Sequence, residues 1–234
     1  MIGRPRVHLR LADSTNDRAK RLAATGAPHG TLVTADEQTA GRGRQGRSWS
    51  APPRTALLMS LVVRDPEPVL PLAAAVAICE PLPVRCEIKW PNDVWLERRK
   101  LAGILVEGRP QQGWAVLGVG LNVTNTSFPP ELAESATSLQ LAGVETTAES
   151  VLGDVLGALE RWLEAPLGEV LAAWRLRDAL RGRPVTWGAA PAAEGASRAG
   201  GAGTAAGIDD SGALVVETAD GRVVLEAGEV HLLP

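Results

Sequence analysis

The chain has 234 residues, 45% hydrophobic and 22% charged, close to globular averages, which excludes wholesale disorder. It holds 24 Lys+Arg against 27 Asp+Glu, a net charge of -3 that argues against a nucleic-acid coat protein. The cations gather early, with 10 basic and 4 acidic side chains in residues 1–60, so a polyanionic ligand is expected near the N-terminal quarter. Two cysteines and three scattered histidines make neither a zinc pattern nor a disulfide framework. Residues 1–12 are too short and too charged for a signal-peptide core, and no apolar run reaches the roughly 18 residues of a spanning helix. A cytoplasmic chain with reduced thiols and no membrane contact is the expectation.

In chain order, residues 7–11 alternate as a short strand. Asp13, Ser14 and Thr15 are helix N-cap types, residues 16–24 have helix-forming composition, and Gly26 is the stop. Residues 30–35 read as a strand, residues 41–48 (GRGRQGRS) as a glycine/arginine loop, and Pro52-Pro53 forbids a helix directly after it. Residues 56–63 form a buried strand and 70–80 a short buried helix closed by Pro81 and Pro83. A strand at 86–90 leads into the Pro91-Asn92-Asp93 turn, and 94–96 with 101–106 suggest a hairpin. Residues 114–121 are another buried strand, and 147–163 and 167–180 are helices.

Helices and strands mix without strict βαβ order, which predicts an α+β fold with a mixed sheet. Of the 19 residues from Ala189 to Gly207, 14 are Ala or Gly. A linker and a set of small strands both fit; the hairpin turns at 207–212 and 220–221 favour strands. The expected division is 1–180 and 181–234.

The loop Gly41-Arg42-Gly43-Arg44-Gln45-Gly46-Arg47-Ser48 carries the strongest chemical signal. Its glycines bring backbone N–H groups close to a ligand, and its arginines offer bidentate donors for carboxylate or phosphate. It nearly matches a phosphate-binding P-loop, but Trp49, Pro52 and Pro53 follow where a helix must begin. A second constellation is Lys89-Trp90-Pro91-Asn92-Asp93 with Lys100-Leu101-Ala102-Gly103. The chain has 21 arginines and three lysines (Lys20, Lys89, Lys100), and two of the three lie here, as expected where a compact point charge must meet a phosphate. Ser14-Thr15-Asn16 fits both a helix cap and a ligand contact, and Asn122 ends the strand 114–121 with a polar tip.

Together, Ser14-Thr15-Asn16, the run Gln38 to Trp49, Lys89 to Asp93, Arg99 to Leu105 and Gly118 to Asn122 resemble the bacterial biotin–protein ligases in order and spacing. The resemblance covers about residues 10–180; residues 207–230 match that family's small C-terminal domain only in pattern. It implies a mixed-sheet catalytic domain like that of class II aminoacyl-tRNA synthetases and biotin ligases, followed by an SH3-like β-barrel. It also implies the short form, without a helix-turn-helix and without DNA binding.

The family's reaction makes biotinyl-5′-AMP and pyrophosphate from biotin and ATP, then moves biotin to a lysine of an acceptor. By the resemblance, Arg42, Arg44 and Lys100 carry the chemistry. Ser14, Thr15, Asn16, Gln38, Gly41, Arg42, Gly43, Arg44, Lys100 and Gly103 bind biotin. Arg44, Trp49, Lys89, Asn92, Asp93 and Asn122 bind ATP or the adenylate, with Mg²⁺ on the phosphates near Asp93. Asn92 and Asp93 sit where a metal ligand, a ribose contact or a base for the acceptor amine is needed. Trp90 and Trp95 read as core, and Glu107 as an exposed strand-end carboxylate. The implied acceptor is the biotin carboxyl carrier protein of acetyl-CoA carboxylase or another biotin-dependent carboxylase, and a homodimer through the sheet is implied as well. A lipoate or octanoate ligase or transferase of the same superfamily is the alternative. A non-enzymatic SH3-like adaptor is weak, because Trp187 is the only aromatic residue after position 180.

Overall fold

The alternating and fully apolar strand segments of the first 122 residues assemble into one sheet, seen in a computed structural model that describes residues 1–188, 190–191, 197–198 and 200–233. Its strands are β1 (Arg6–Leu9), β2 (Leu32–Ala35), β3 (Ala56–Arg64), β4 (Glu87–Lys89), β5 (Asp93–Leu96), β6 (Arg99–Arg109) and β7 (Trp114–Asn122). Their order is β1-β2-β3-β7-β6-β5-β4. Only β1 and β2 run parallel; every other pair is antiparallel. The sheet is therefore mixed, as its irregular helix–strand order requires.

Helix α1 (Thr15–Ala24) covers one face, where Ala19 and Ala23 pack on Val33, Val62, Trp114 and Val116. Helix α2 (Leu70–Cys79) lies on the other face and buries every residue but Pro71, so it has no polar side to expose. Helices α3 (Ala148–Trp162) and α4 (Leu167–Arg175) pack on α2. Thr147 starts α3 by accepting the Ser150 N–H at 3.2 Å.

Several element boundaries differ from the sequence reading, β6 beginning at Arg99 rather than 101 among them, and two of the differences have clear local causes. The second helix stops at Arg175 rather than 180, because Asp178 Oδ1 accepts the N–H groups of Leu180 and Arg181 and turns the chain. The freed backbone bonds the edge strand β4, with Ile88 N–H to Arg177 O and Ala179 N–H to Ile88 O. The β5–β6 hairpin turns on Glu97 and Arg98, both with positive φ (52° and 64°), where Asn and Gly are the usual occupants.

After β8 (Pro184–Trp187) come the two-residue strands β9 (Ala190–Pro191) and β10 (Ser197–Arg198), then β11 (Gly201–Ile208), β12 (Leu214–Thr218), β13 (Gly221–Leu225) and β14 (Val230–Leu232). A five-stranded antiparallel sheet forms in the order β13-β12-β11-β8-β14. Much of the Ala/Gly stretch is thus strand, with residues 189, 192–196 and 199 outside the described part. The β11–β12 turn wedges against the larger sheet's helices: Gly212 abuts Leu72, and its carbonyl accepts the Trp90 indole N–H at 3.1 Å. One apolar cluster includes α2, Trp90, Val185, Ile208 and Leu214, so the core runs across both parts.

Candidate active site

Adjacent strands place glycines opposite one another in the middle of the sheet. Gly103 of β6 pairs with Gly120 of β7, and Gly118 of β7 with Ser60 of β3. These glycines keep the floor flat. A Cβ at Gly118 would overlap Asn16 Oδ1, and one at Gly120 would overlap the Trp49 indole. At Gly103 a Cβ would lie 3.1 Å from both Trp49 and Lys100. Trp49 therefore rests flat on β6 and β7, and its buried indole N–H has no partner among the described residues.

On one side of Trp49 is a small pocket made by the start of α1 and Gln38. Ser14 occupies the N-cap position, 1% exposed, yet its hydroxyl makes no cap hydrogen bond. Ser14 is thus the cap by position, while its hydroxyl takes no part in capping. Gln38 Oε1 accepts the Thr15 N–H at 2.7 Å and lies 3.0 Å from Thr15 Oγ1. Ser60 Oγ is 2.8 Å from Thr15 Oγ1 and donates to Asn16 Oδ1 at 2.6 Å. The result is a buried, uncharged set of hydroxyls and amides whose orientations are fixed by each other.

On the other side is a cleft of about 310 Å³, lined by the glycine/arginine loop, β4, β5 and the turn before β14. Gly43, Arg44, Trp49, Asn92 and Lys100 line both spaces and form the boundary between them. Arg44 is held at its fork: Asn92 Oδ1 accepts from it at 2.9 Å and the Gly228 carbonyl at 3.2 Å. Burial lowers the Arg44 pKa from its ordinary value, opposed by Asp93 and Glu229, so its charge is poorly solvated. Lys89 is lowered for the same reason, and its Nζ lies 5.3 Å from the Trp95 ring centre. Lys100 Nζ sits 2.7 Å from Asp93 Oδ1, at ion-pair range but out of line for a hydrogen bond, and 5.8 Å from the Trp49 ring centre. Arg47 pairs with Glu229 at the cleft rim.

Most of the residues singled out in the sequence meet here. Gly41 instead packs at the base of the loop, between Gln38 and the Trp49 carbonyl. Arg42 reaches the pocket, but its guanidinium is engaged by Asp17 and Glu107. Asn92 is engaged at both ends, since its Nδ2 donates to Ile104 O at 2.8 Å, so it holds Arg44 in place. Asn122 donates to Thr137 O and accepts from Asn125, which leaves it one amide hydrogen for the cleft. Trp90 is core, 2% exposed, but Trp95 is only partly buried and lines the cleft, because β5 turns Asp93 and Trp95 to the same face. Sequence reasoning missed Ser60, Phe128 and Glu229, and read Gly118 as part of a motif without a role in the pocket floor. Only the Gly118–Gly120 spacing signalled a flat strand face; Glu229 arrives from a distant turn with no local mark.

Among the described residues no group of three or more His, Cys, Asp or Glu could hold a metal ion, and no helix is long and apolar enough to cross a membrane. Residues 9–123 match the family model described as the biotin/lipoate A/B protein ligase family, and residues 202–233 match that of the biotin protein ligase C-terminal domain. A biotin–[acetyl-CoA-carboxylase] ligase of Mycobacterium tuberculosis is 38% identical, over 94% of this chain and 86% of its own length. One from Paracoccus denitrificans is 35% identical, over 95% and 98%. The structure of the biotin protein ligase from Aquifex aeolicus in complex with biotin and ATP superposes with a TM-score of 0.81 at 26% identity, covering 98% of this chain and 99% of that one. The chain belongs to the biotin protein ligase family.

Proposed function

We propose that this chain is an ATP-dependent biotin–protein ligase. It activates biotin as biotinyl-5′-AMP with release of pyrophosphate, then transfers biotin to a lysine of a biotin carboxyl carrier protein. One observation carries the reading: a pocket whose inner wall is hydroxyls and amides opens, across Trp49, Arg44 and Lys100, onto a cleft of about 310 Å³ that also holds Lys89 and Arg47. The ureido head group of biotin meets the Ser14 hydroxyl and the remaining hydrogen-bonding positions of Thr15 and Asn16, while biotin's carboxylate emerges at the boundary.

Both reactants of the first half-reaction are anions, so charge neutralisation and alignment dominate the barrier. Arg44, fixed by Asn92, and Lys100, beside Asp93, stand at the boundary where carboxylate and α-phosphate meet. Being desolvated, Arg44 gains more from an anion than a hydrated guanidinium would. Lys89 and Arg47 extend positive charge along the cleft toward the departing pyrophosphate. Trp49 offers its ring to the adenylate and its unpartnered N–H to an acceptor atom. Asp93 is the carboxylate on the catalytic sheet that would hold a Mg²⁺ ion, which would neutralise phosphate charge, in keeping with the one or two carboxylates such an ion uses.

The alternative substrates, lipoate and octanoate, have no head-group donors or acceptors for this pocket, and burying the Ser14 hydroxyl, which makes no cap bond, against alkyl carbon gives it nothing in exchange for water. A homodimer through the sheet is favoured by β6, whose residues 106–109 pair with β7 on one side and with no strand on the other among the described residues. A cytoplasmic setting suits Cys79 and Cys86, both buried free thiols. The test is pyrophosphate release from ATP and Mg²⁺ with biotin, lipoate or octanoate and no acceptor. Release with biotin alone is expected; release with lipoate or octanoate and not biotin overturns the substrate, and none with any acid overturns the activity.

A further inference from the structure

Glu107 stands toward the end of β6, where the sequence suggests a solvated carboxylate. It is instead the meeting point of two structural parts. Its Oε2 accepts from Asn16 Nδ2 at 2.9 Å and lies 3.5 Å from the Arg42 guanidinium. Its Oε1 lies 3.2 Å from Lys20 Nζ. Lys20 also sits 3.0 Å from Asp17, and Asp17 pairs with Arg42. Two carboxylates and two cations thus form a closed, electrically neutral ring, and one member of it reaches into the pocket floor.

The ring has two effects that follow from donor chemistry. An amide is symmetric in shape but not in function, and of its two ends a carboxylate such as Glu107 accepts only from the nitrogen. It therefore fixes Nδ2 of Asn16 toward β6 and Oδ1 toward Ser60. The same carboxylate, with Asp17, anchors the first arginine of a glycine-rich loop that has little apolar packing of its own. Glu107 touches no reacting atom in this arrangement; it acts through Asn16 and Arg42.

We propose that Glu107 is a positioning residue that sets the Asn16 amide in the acid pocket and ties loop 41–48 down beside it, so that pocket and loop are ordered together. The proposal rests on reading that pocket as the biotin site. Its two arms separate chemically. Glu107→Gln retains an oxygen that accepts from Asn16 but loses the charge that holds Arg42 and Lys20. Glu107→Ala loses both, and Asp17→Asn weakens only the loop arm.

The experiment uses the full chain, with biotin-dependent ATP–pyrophosphate exchange and, as a readout independent of turnover, the rate of trypsin cleavage after the loop arginines without ligands. Glu107→Ala is expected to raise the biotin KM about tenfold with kcat within about threefold, and to be cleaved several-fold faster, as loss of hydrogen bonds to a charged group predicts. Glu107→Gln is expected to keep the biotin KM within about threefold of wild type while being cleaved as fast as Glu107→Ala. Asp17→Asn should speed cleavage and leave the biotin KM unchanged. A Glu107→Ala chain with wild-type KM and cleavage rate overturns the proposal, as does a loss of kcat and thermal stability with no change in KM. A wild-type chain with no biotin-dependent exchange overturns the functional reading itself, and the proposal with it.

Discussion

The pocket behind Trp49 is lined by hydroxyls and amides that hold one another, whereas the cleft in front of it is lined by cations whose donors are only partly used. The inner wall of the first is an uncharged hydrogen-bonded set, suited to reading the shape of a small polar molecule. The second is open, charged and built partly from a loop and a distant turn, suited to gripping phosphates that arrive and depart. Shape reading thereby falls mainly to the start of α1, Ser60 and Gln38, whereas charge is shared between Lys89 and Lys100 on strands and the arginines of the loop. The five shared residues are where the two modes of recognition must agree.

The largest expected break in this division comes at the boundary. Lys100→Ala should lower kcat/KM for adenylation by about 100-fold or more, the usual scale for losing a donor on developing charge, measured by pyrophosphate exchange. Lys20→Ala is not a neutral control for it, since Lys20 bridges Asp17 and Glu107. The two floor glycines sharpen the comparison. Gly118→Ala pushes on Asn16 and should raise the biotin KM about tenfold with the ATP KM nearly unchanged, whereas Gly120→Ala displaces the shared Trp49 ring and should raise both.

Arg44→Ala should shorten the lifetime of bound biotinyl-AMP about tenfold, seen as faster release on rapid gel filtration. Asn92→Ala should act in the same direction but about threefold, because it removes only the contact that orients Arg44. The smallest effect lies outside both regions, at the β11–β12 turn. Burial alone would raise the Asp209 carboxyl, but hydrogen bonds from Ser211, Ala213 and Gly212 outweigh it and hold the group below its usual range. Its stabilisation is present above the unfolded pKa and is lost as pH falls through the lower folded value. Asp209→Ala should therefore cost about 1–2 kcal/mol near pH 7 and less at acid pH, read as a Tm difference that narrows on acidification.

The legible parts of this molecule were those with local causes. Apolar runs announced β3, α2 and β7, and the Asp209 and Asp220 turns announced the C-terminal strands. The loop arginines and the lysines at 89 and 100 announced the cations that meet in the cleft. What stayed hidden depended on chain segments far apart. No spacing rule tells that Ser60 faces Asn16, 44 residues away, or that Gly228 caps Arg44 across 184 residues. Glu107 looked like surface because a single carboxylate at a strand end carries no sign of the helix above it. The α4 boundary was overrun because residues 176–180 keep a helical composition while the β4 edge, which takes their backbone bonds, is invisible until the sheet forms.

The wedge formed by Gly212 between Leu72 and Trp90 has a consequence for how the chain comes apart. A small β-sheet joined by a linker would melt separately and could be clipped away. Here the turn inserts into the same apolar cluster that seats α2, so withdrawing it uncovers Leu72 and breaks the bond from the Trp90 indole. The two sheets are thus expected to unfold as a single cooperative unit. Thermal unfolding should give one transition, and amide exchange at Leu214 and Val216 should keep pace with that at Val76 rather than run ahead of it.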